Sequence, residues 1–168
     1  LAAQTSFDVT VTGSDAAGNP FSSTTTSTHA VDTTAVATIT VNNITADDVV
    51  NASEAGGSIA VTGSVGGDAT AGDAVSFTVN GTNYSGTVAA DNTFSVSVAG
   101  FDLAAQASFD VNVAGSDAAG NPFSATTTSV HSVDTVATAT ITVNNITADD
   151  VVNAAEAGSS IAVTGSVG

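Results

Sequence analysis

The feature that most constrains this chain is that it repeats itself. Shifted by 102 residues, Leu1-Ala-Ala-Gln4 falls on Leu103-Ala-Ala-Gln106, and the match runs without a gap until Gly66 meets Gly168. Of the 66 overlapping positions, 56 are identical. A period near 100 residues is too long for one turn of a solenoid and is the length of a whole β-sandwich domain. The chain therefore reads as about 1.65 units of a longer array. Residues 34–135 are expected to form one complete unit, 1–33 the last strands of a preceding unit, and 136–168 the first strands of a following one.

Within the unit, Ala37–Val41 and Ser58–Thr62 alternate apolar with polar residues, as do Ala74–Val79 and Thr82–Val88. The pattern continues through Thr93–Val98, Ser108–Val113 and the threonine-rich Phe123–Val130. Seven segments of period two and no helical period describe an all-β chain. Asn80-Gly81, set between two alternating runs, is a strong hairpin signal. Turn signals every ~8–12 residues point to an immunoglobulin-like Greek-key β-sandwich in tandem repeats of 102 residues.

Charge excludes several functions. Lys and Arg are absent while Asp and Glu number 16, a formal charge of −16. Nucleic acid and anionic lipid both require cationic side chains, so neither is a partner. Yet charged residues are only 10% and apolar ones 42%, enough to bury a core, so the chain is no disordered acidic tail. No apolar run approaches the ~20 residues of a membrane span. Cysteine is absent, so any staple in an extracellular setting has to be something other than a disulfide, and a metal is the usual substitute.

The acids concentrate in Ile44-Thr-Ala-Asp-Asp-Val-Val-Asn-Ala-Ser-Glu54, which returns as residues 146–156 and holds the only two glutamates, Glu54 and Glu156. With no cationic side chain to neutralise them, neighbouring carboxylates repel unless they are solvated or a cation sits among them. In a sandwich, the loop after the first strand and the end of the last strand lie at the same pole. Asp47, Asp48, Glu54 and Asp134 are therefore expected to converge at one junction, and Asp32, Asp117 and Asn121 at the other. The same positions in the flanking copies are Asp15, Asn19, Asp149, Asp150 and Glu156. An oxygen-only donor set of this kind suits Ca²⁺. The competing reading is that these Asp and Asn residues are turn and capping residues. The spacing matches neither an EF-hand loop nor a glycine-rich nonapeptide, and Gly66-Gly-Asp-Ala-Thr-Ala-Gly-Asp73 reads as a turn. His29 and His131 are one position seen twice, expected exposed on the last strand. One histidine per unit offers no catalytic triad, and no enzyme activity is expected.

Ser116-Asp-Ala-Ala-Gly-Asn-Pro122 followed by Val133-Asp-Thr135 resembles the closing pattern of bacterial immunoglobulin-like repeats in giant surface adhesins. The acidic stretch is similar to the extender repeats of RTX adhesins secreted by the type I route. The resemblance covers the whole unit. It implies β-sandwiches that bind calcium at their poles and linkers and form a stalk on the bacterial cell surface, outside the cell. Carried over residue by residue, it puts calcium on Asp32, Asp47, Asp48, Glu54, Asp117, Asn121 and Asp134. Many relatives have proline after Val-Asp-Thr-Thr-Ala, where Val36 stands here; the second copy reads Val-Asp-Thr-Val-Ala. That departure implies a linker whose rigidity rests on calcium alone. The expected function is a calcium-stiffened extender of a secreted adhesin, partnered by neighbouring repeats of the same chain. The alternatives are a repeat of an extracellular filament assembled by strand exchange with other chains, and a ligand-binding adhesin domain.

Overall fold

The computed structural model describes all residues, Leu1–Gly168. In chain order the elements are β1 (Ser6–Ser14), β2 (Pro20–Thr28), β3 (Ala37–Val41), β4 (Val49–Asn51) and α1 (Ala52–Ala55). They continue with β5 (Ser58–Gly67), β6 (Ala74–Val79), β7 (Thr82–Thr87), β8 (Thr93–Ala99) and α2 (Gly100–Ala105). β9 (Ser108–Ser116), β10 (Pro122–Val130), β11 (Ser132–Asp134), β12 (Ile141–Val143) and β13 (Gly165–Val167) complete the chain.

Two sheets face each other, one in the order β3-β5-β8 and one in the order β10-β9-β6-β7. Their strands are antiparallel, with β6 lying between β7 and β9. Alternation decides what goes inside: in β6, Val75, Phe77 and Val79 are buried while the residues between them are exposed. The same holds for Phe94, Val96 and Val98 of β8 and for Phe109, Val111 and Val113 of β9. Phe77 anchors the middle, its ring 5.4 Å from that of Phe109 and 5.8 Å from that of Tyr84. Offset aromatic pairs of this kind add ~0.5–1.5 kcal/mol beyond the area they bury. Asn80 and Gly81 both take positive φ, 49° and 78°, as the tight hairpin between β6 and β7 requires.

Four elements go beyond the seven strands expected. β4 and β11 pair in parallel, Val49 opposite Ser132 and Asn51 opposite Asp134, tying the end of the unit to its acidic loop. α1 and α2 occupy segments expected to be loop, and four to six residues are too few to display a helical period. α1 is built by a capping box: Asn51 Oδ1 accepts from the Ser53 and Glu54 amides, and Glu54 Oε2 accepts from the Asn51 amide. α2 rests on α1 so closely at Gly100 that a Cβ there would run into the Glu54 carbonyl oxygen.

His131 is buried rather than exposed, 5% accessible and packed edge-on to Phe109. Its Nε2 lies 2.9 Å from the Leu103 carbonyl oxygen. A carbonyl only accepts, so Nε2 carries the proton and Nδ1 keeps its lone pair, which meets no partner in the chain.

The flanking copies pair only with themselves, β1 with β2 and β12 with β13. Phe7 is 38% exposed where its repeat, Phe109, is 4% exposed.

Candidate functional site

Each acid of the loop from Ile44 to Glu54 is engaged by the loop itself. Asp47 Oδ1 accepts from the Thr45 hydroxyl at 2.9 Å and from the Val49 amide at 3.2 Å. The Thr45 hydroxyl leads these contacts in holding the Asp47 carboxyl below the usual carboxylate range. Asp48 Oδ1 accepts from the Ile44 amide at 2.9 Å, and its backbone sits at φ 60°, a conformation in which Asp is among the better-tolerated residues. Glu54 is the return half of the α1 capping box. The second oxygen of each of these three carboxylates takes no hydrogen bond from the chain.

Asp134 arrives beside this loop through β11, opposite Asn51, and its Oδ1 accepts from the Val136 amide at 3.2 Å. A cleft of about 270 Å³ opens between Asn51–Ser53 and Asp134–Ala137. The loop and the end of the unit thus share one pole, yet no three acidic side chains gather around a common point.

At the other pole, Asp117 organises the loop between β9 and β10. Its carboxylate accepts from the Ala119 amide at 2.9 Å, the Asn121 amide at 2.7 Å and the Asn121 side-chain Nδ2 at 2.8 Å. These bonds, the Asn121 side chain first, hold the Asp117 carboxyl below its ordinary range. Asn121 Nδ2 also donates to the Asp32 main-chain carbonyl at 3.2 Å, so the incoming linker touches this loop. The Asp32 carboxylate turns away to the Thr34 amide. In the flanking copy Asp15 and Asn19 repeat the arrangement, and Asn19 again lowers the Asp15 carboxyl. Asp149, Asp150 and Glu156 likewise repeat the bonds of the first acidic loop.

The donor set fits a hard cation in kind, since carboxylate, amide and main-chain oxygens are the ligands Ca²⁺ takes. No nitrogen or sulfur ligand stands nearby to favour a softer metal. The loops are folded around their own amides, and the spare carboxylate oxygens are what a cation would engage.

One buried acid was not visible in the sequence. Asp102, on α2, is 1% exposed; Tyr84 Oη donates to its Oδ2 at 2.6 Å and Asn80 Nδ2 to its Oδ1 at 2.9 Å. Tyr84 first and Asn80 second hold its carboxyl below the ordinary range, and the same carboxylate raises the Tyr84 phenol. With no Lys or Arg in the chain, this buried charge is satisfied by neutral donors alone. Nothing in its local sequence announces partners 18 and 22 residues away.

Solved structures resemble the chain. One, from a 1.5-MDa bacterial ice-binding adhesin whose retention on its host cell surface was under study, is 52% identical with a TM-score of 0.84. The match covers 96% of this chain and 52% of that one. A second, a Ca²⁺-stabilized adhesin that helps an Antarctic bacterium reach out and bind ice, is 56% identical with a TM-score of 0.74; it covers 98% of this chain and 40% of that one. A bacterial immunoglobulin-like domain from the M. primoryensis ice-binding adhesin is 51% identical with a TM-score of 0.56, and 61% of this chain spans 100% of it. The chain thus spans about half or less of the first two. No family model and no curated protein matches it.

Proposed function

The chain belongs to the bacterial immunoglobulin-like domains of ice-binding adhesins, and on that premise we propose that it is a structural extender, a section of a stalk stiffened by calcium on the outside of a bacterial cell. The observation that carries the reading is identity of 51–56% along whole domains of adhesins, one of them described as Ca²⁺-stabilized. Residues 34–135 are the repeating unit, and its partners are the neighbouring repeats of the same chain. The surface supports a spacer: the complete unit carries one Tyr and no Trp for stacking on a sugar. Near-identity between copies suits a part whose task is length.

Calcium would be held by Asp47, Asp48, Glu54 and Asp134 at one pole and by Asp32, Asp117 and Asn121 at the other. Asp15, Asn19, Asp149, Asp150 and Glu156 would serve the flanking copies. Bound there, the cation supplies the positive charge that this sequence lacks. The chain's own part is to pre-shape the loops through amide bonds, so that the spare oxygens are presented at a modest cost in ordering.

The test is thermal or urea unfolding with calcium and with EDTA. A cation that binds only the folded state at ~100 times its Kd adds roughly 2.7 kcal/mol per site, a large share of an ordinary ~5–15 kcal/mol domain. An unfolding midpoint indifferent to EDTA would sink the calcium reading.

A further inference from the structure

The linker ahead of the unit is held by more than acids facing a cation. The Val36 amide donates to Asp68 Oδ2 at 2.8 Å, and the Asp68 amide donates back to the Val36 carbonyl at 2.7 Å. This reciprocal pair pins the linker to the turn after β5. The neighbouring Gly67 shows that the contact is built in: it takes φ 73°, and a Cβ there would run into the Val36 carbonyl oxygen. One step upstream, the Asp32 carbonyl receives Asn121 Nδ2. Proline at 36 would have no N–H to offer Asp68, so the valine there changes how the joint is made.

The other end of the unit supplies the missing half. Asp32 and Asp134 are one repeat position, and at 134 that residue lies in the parallel ladder of β4 and β11, opposite Asn51. The Ser132 amide extends the grip by donating to the Asp48 carbonyl at 2.9 Å. The two grips are compatible, because the upstream one is a main-chain ladder and a carbonyl has two lone pairs to share with Asn121.

We propose that the linker is itself an interface, clasped upstream by the β4 ladder of the preceding repeat and downstream by Asp68 and Asn121, which docks neighbouring repeats without a cation. The partner is the preceding repeat, and the bending freedom shrinks to Thr33 and Thr34. The inference rests on reading 34–135 as the repeating unit. It revises the expectation that calcium alone stiffens the joint: the clasp sets the path of the main chain, and the cation neutralises the acids beside it.

Amide hydrogen exchange in the 168-residue chain, in calcium and in EDTA, tests this. The Val36 amide is expected to exchange at least about tenfold slower than the Thr33 amide in both media. Asp68→Ala should abolish that protection, Asp68→Asn, which keeps an oxygen acceptor, should retain it, and neither should change calcium affinity by calorimetry. The clasp is overturned if Val36 exchanges as fast as Thr33 in EDTA, or if Asp68→Ala leaves it protected. Should Asp68→Ala also expose the buried Val75 amide, the variant has unfolded and wild-type exchange in EDTA decides alone. An EDTA-indifferent midpoint with Val36 protected overturns the calcium reading and supports the clasp; the reverse result overturns the clasp only.

Discussion

Residues 44–54 and 146–156 differ at a single position, Ser53 against Ala155, yet the structure builds them differently. Their local bonds agree: Asp48 and Asp150 each accept from the amide four residues back, at 2.9 and 3.0 Å, with φ of 60° and 61°. Glu54 and Glu156 each accept from the Asn amide three residues back, both at 3.0 Å. What differs is everything needing a distant partner. In the complete unit Val49–Asn51 is a strand and Val50 is fully buried; in the second copy the segment is not a strand and Val152 is 51% exposed. α1 gives way there to a three-residue 3₁₀ turn, Glu156–Gly158. The shape of the acidic loop is thus written locally, while its attachment to the sandwich comes from β11 and the core.

The largest test of that division compares repeats in the core. Phe109→Ala is expected to cost ~3–5 kcal/mol in urea unfolding, against less than ~0.5 kcal/mol for Phe7→Ala, whose ring packs on no closed sandwich. Similar losses would mean that the flanking strands fold as firmly as the unit. Next, Asn51→Ala removes the cap of α1 and should cost ~1 kcal/mol, whereas Asn153→Ala should leave the same unfolding curve unmoved. If both variants shift it, the second loop shares in the cooperative unit.

The smallest effect concerns acid. Asp47 and Asp149 titrate in both copies and are held low by local bonds, led by the Thr45 hydroxyl in one and the Val151 amide in the other. Asp102 has no counterpart in either flanking copy, so its titration reports on the closed unit. Its folded carboxyl lies below the unfolded value of ~3.9, so its stabilisation is complete above that pH and is lost as pH falls through the lower folded value. Asp102→Asn cannot titrate and should show a shallower fall in unfolding midpoint below about pH 4. Identical acid limbs would show that Asp102 contributes nothing to it.

Much of this was legible in the residues, for one physical reason. Seven strands follow from alternation, the hairpin from Asn80-Gly81, and the whole unit from self-similarity, all short-range or periodic signals. The clustering of Asp47, Asp48 and Glu54 in one loop is plain from spacing. That their first oxygens serve Val49, Ile44 and Asn51 follows the turn-and-cap chemistry open from the start. β4 and β11, three residues each, carry too little pattern to declare a parallel partner across the unit. Asp102 with Tyr84, and Asp68 with Val36, are single contacts joining segments that only the closed sandwich brings together.

The parallel pairing of β4 with β11 also fixes when a unit can be finished. Val50 comes early in the unit and its ladder partner, Val133, almost last, so the seam stays open until nearly all of the sequence between them is in place. Contacts closed over so long a loop make folding slow and concerted. Until then, a neighbouring repeat of nearly the same sequence offers equivalent strands, the circumstance in which tandem domains exchange segments. A stalk of such repeats is therefore exposed to mispairing while it forms, and each seam that closes removes one unit from that risk.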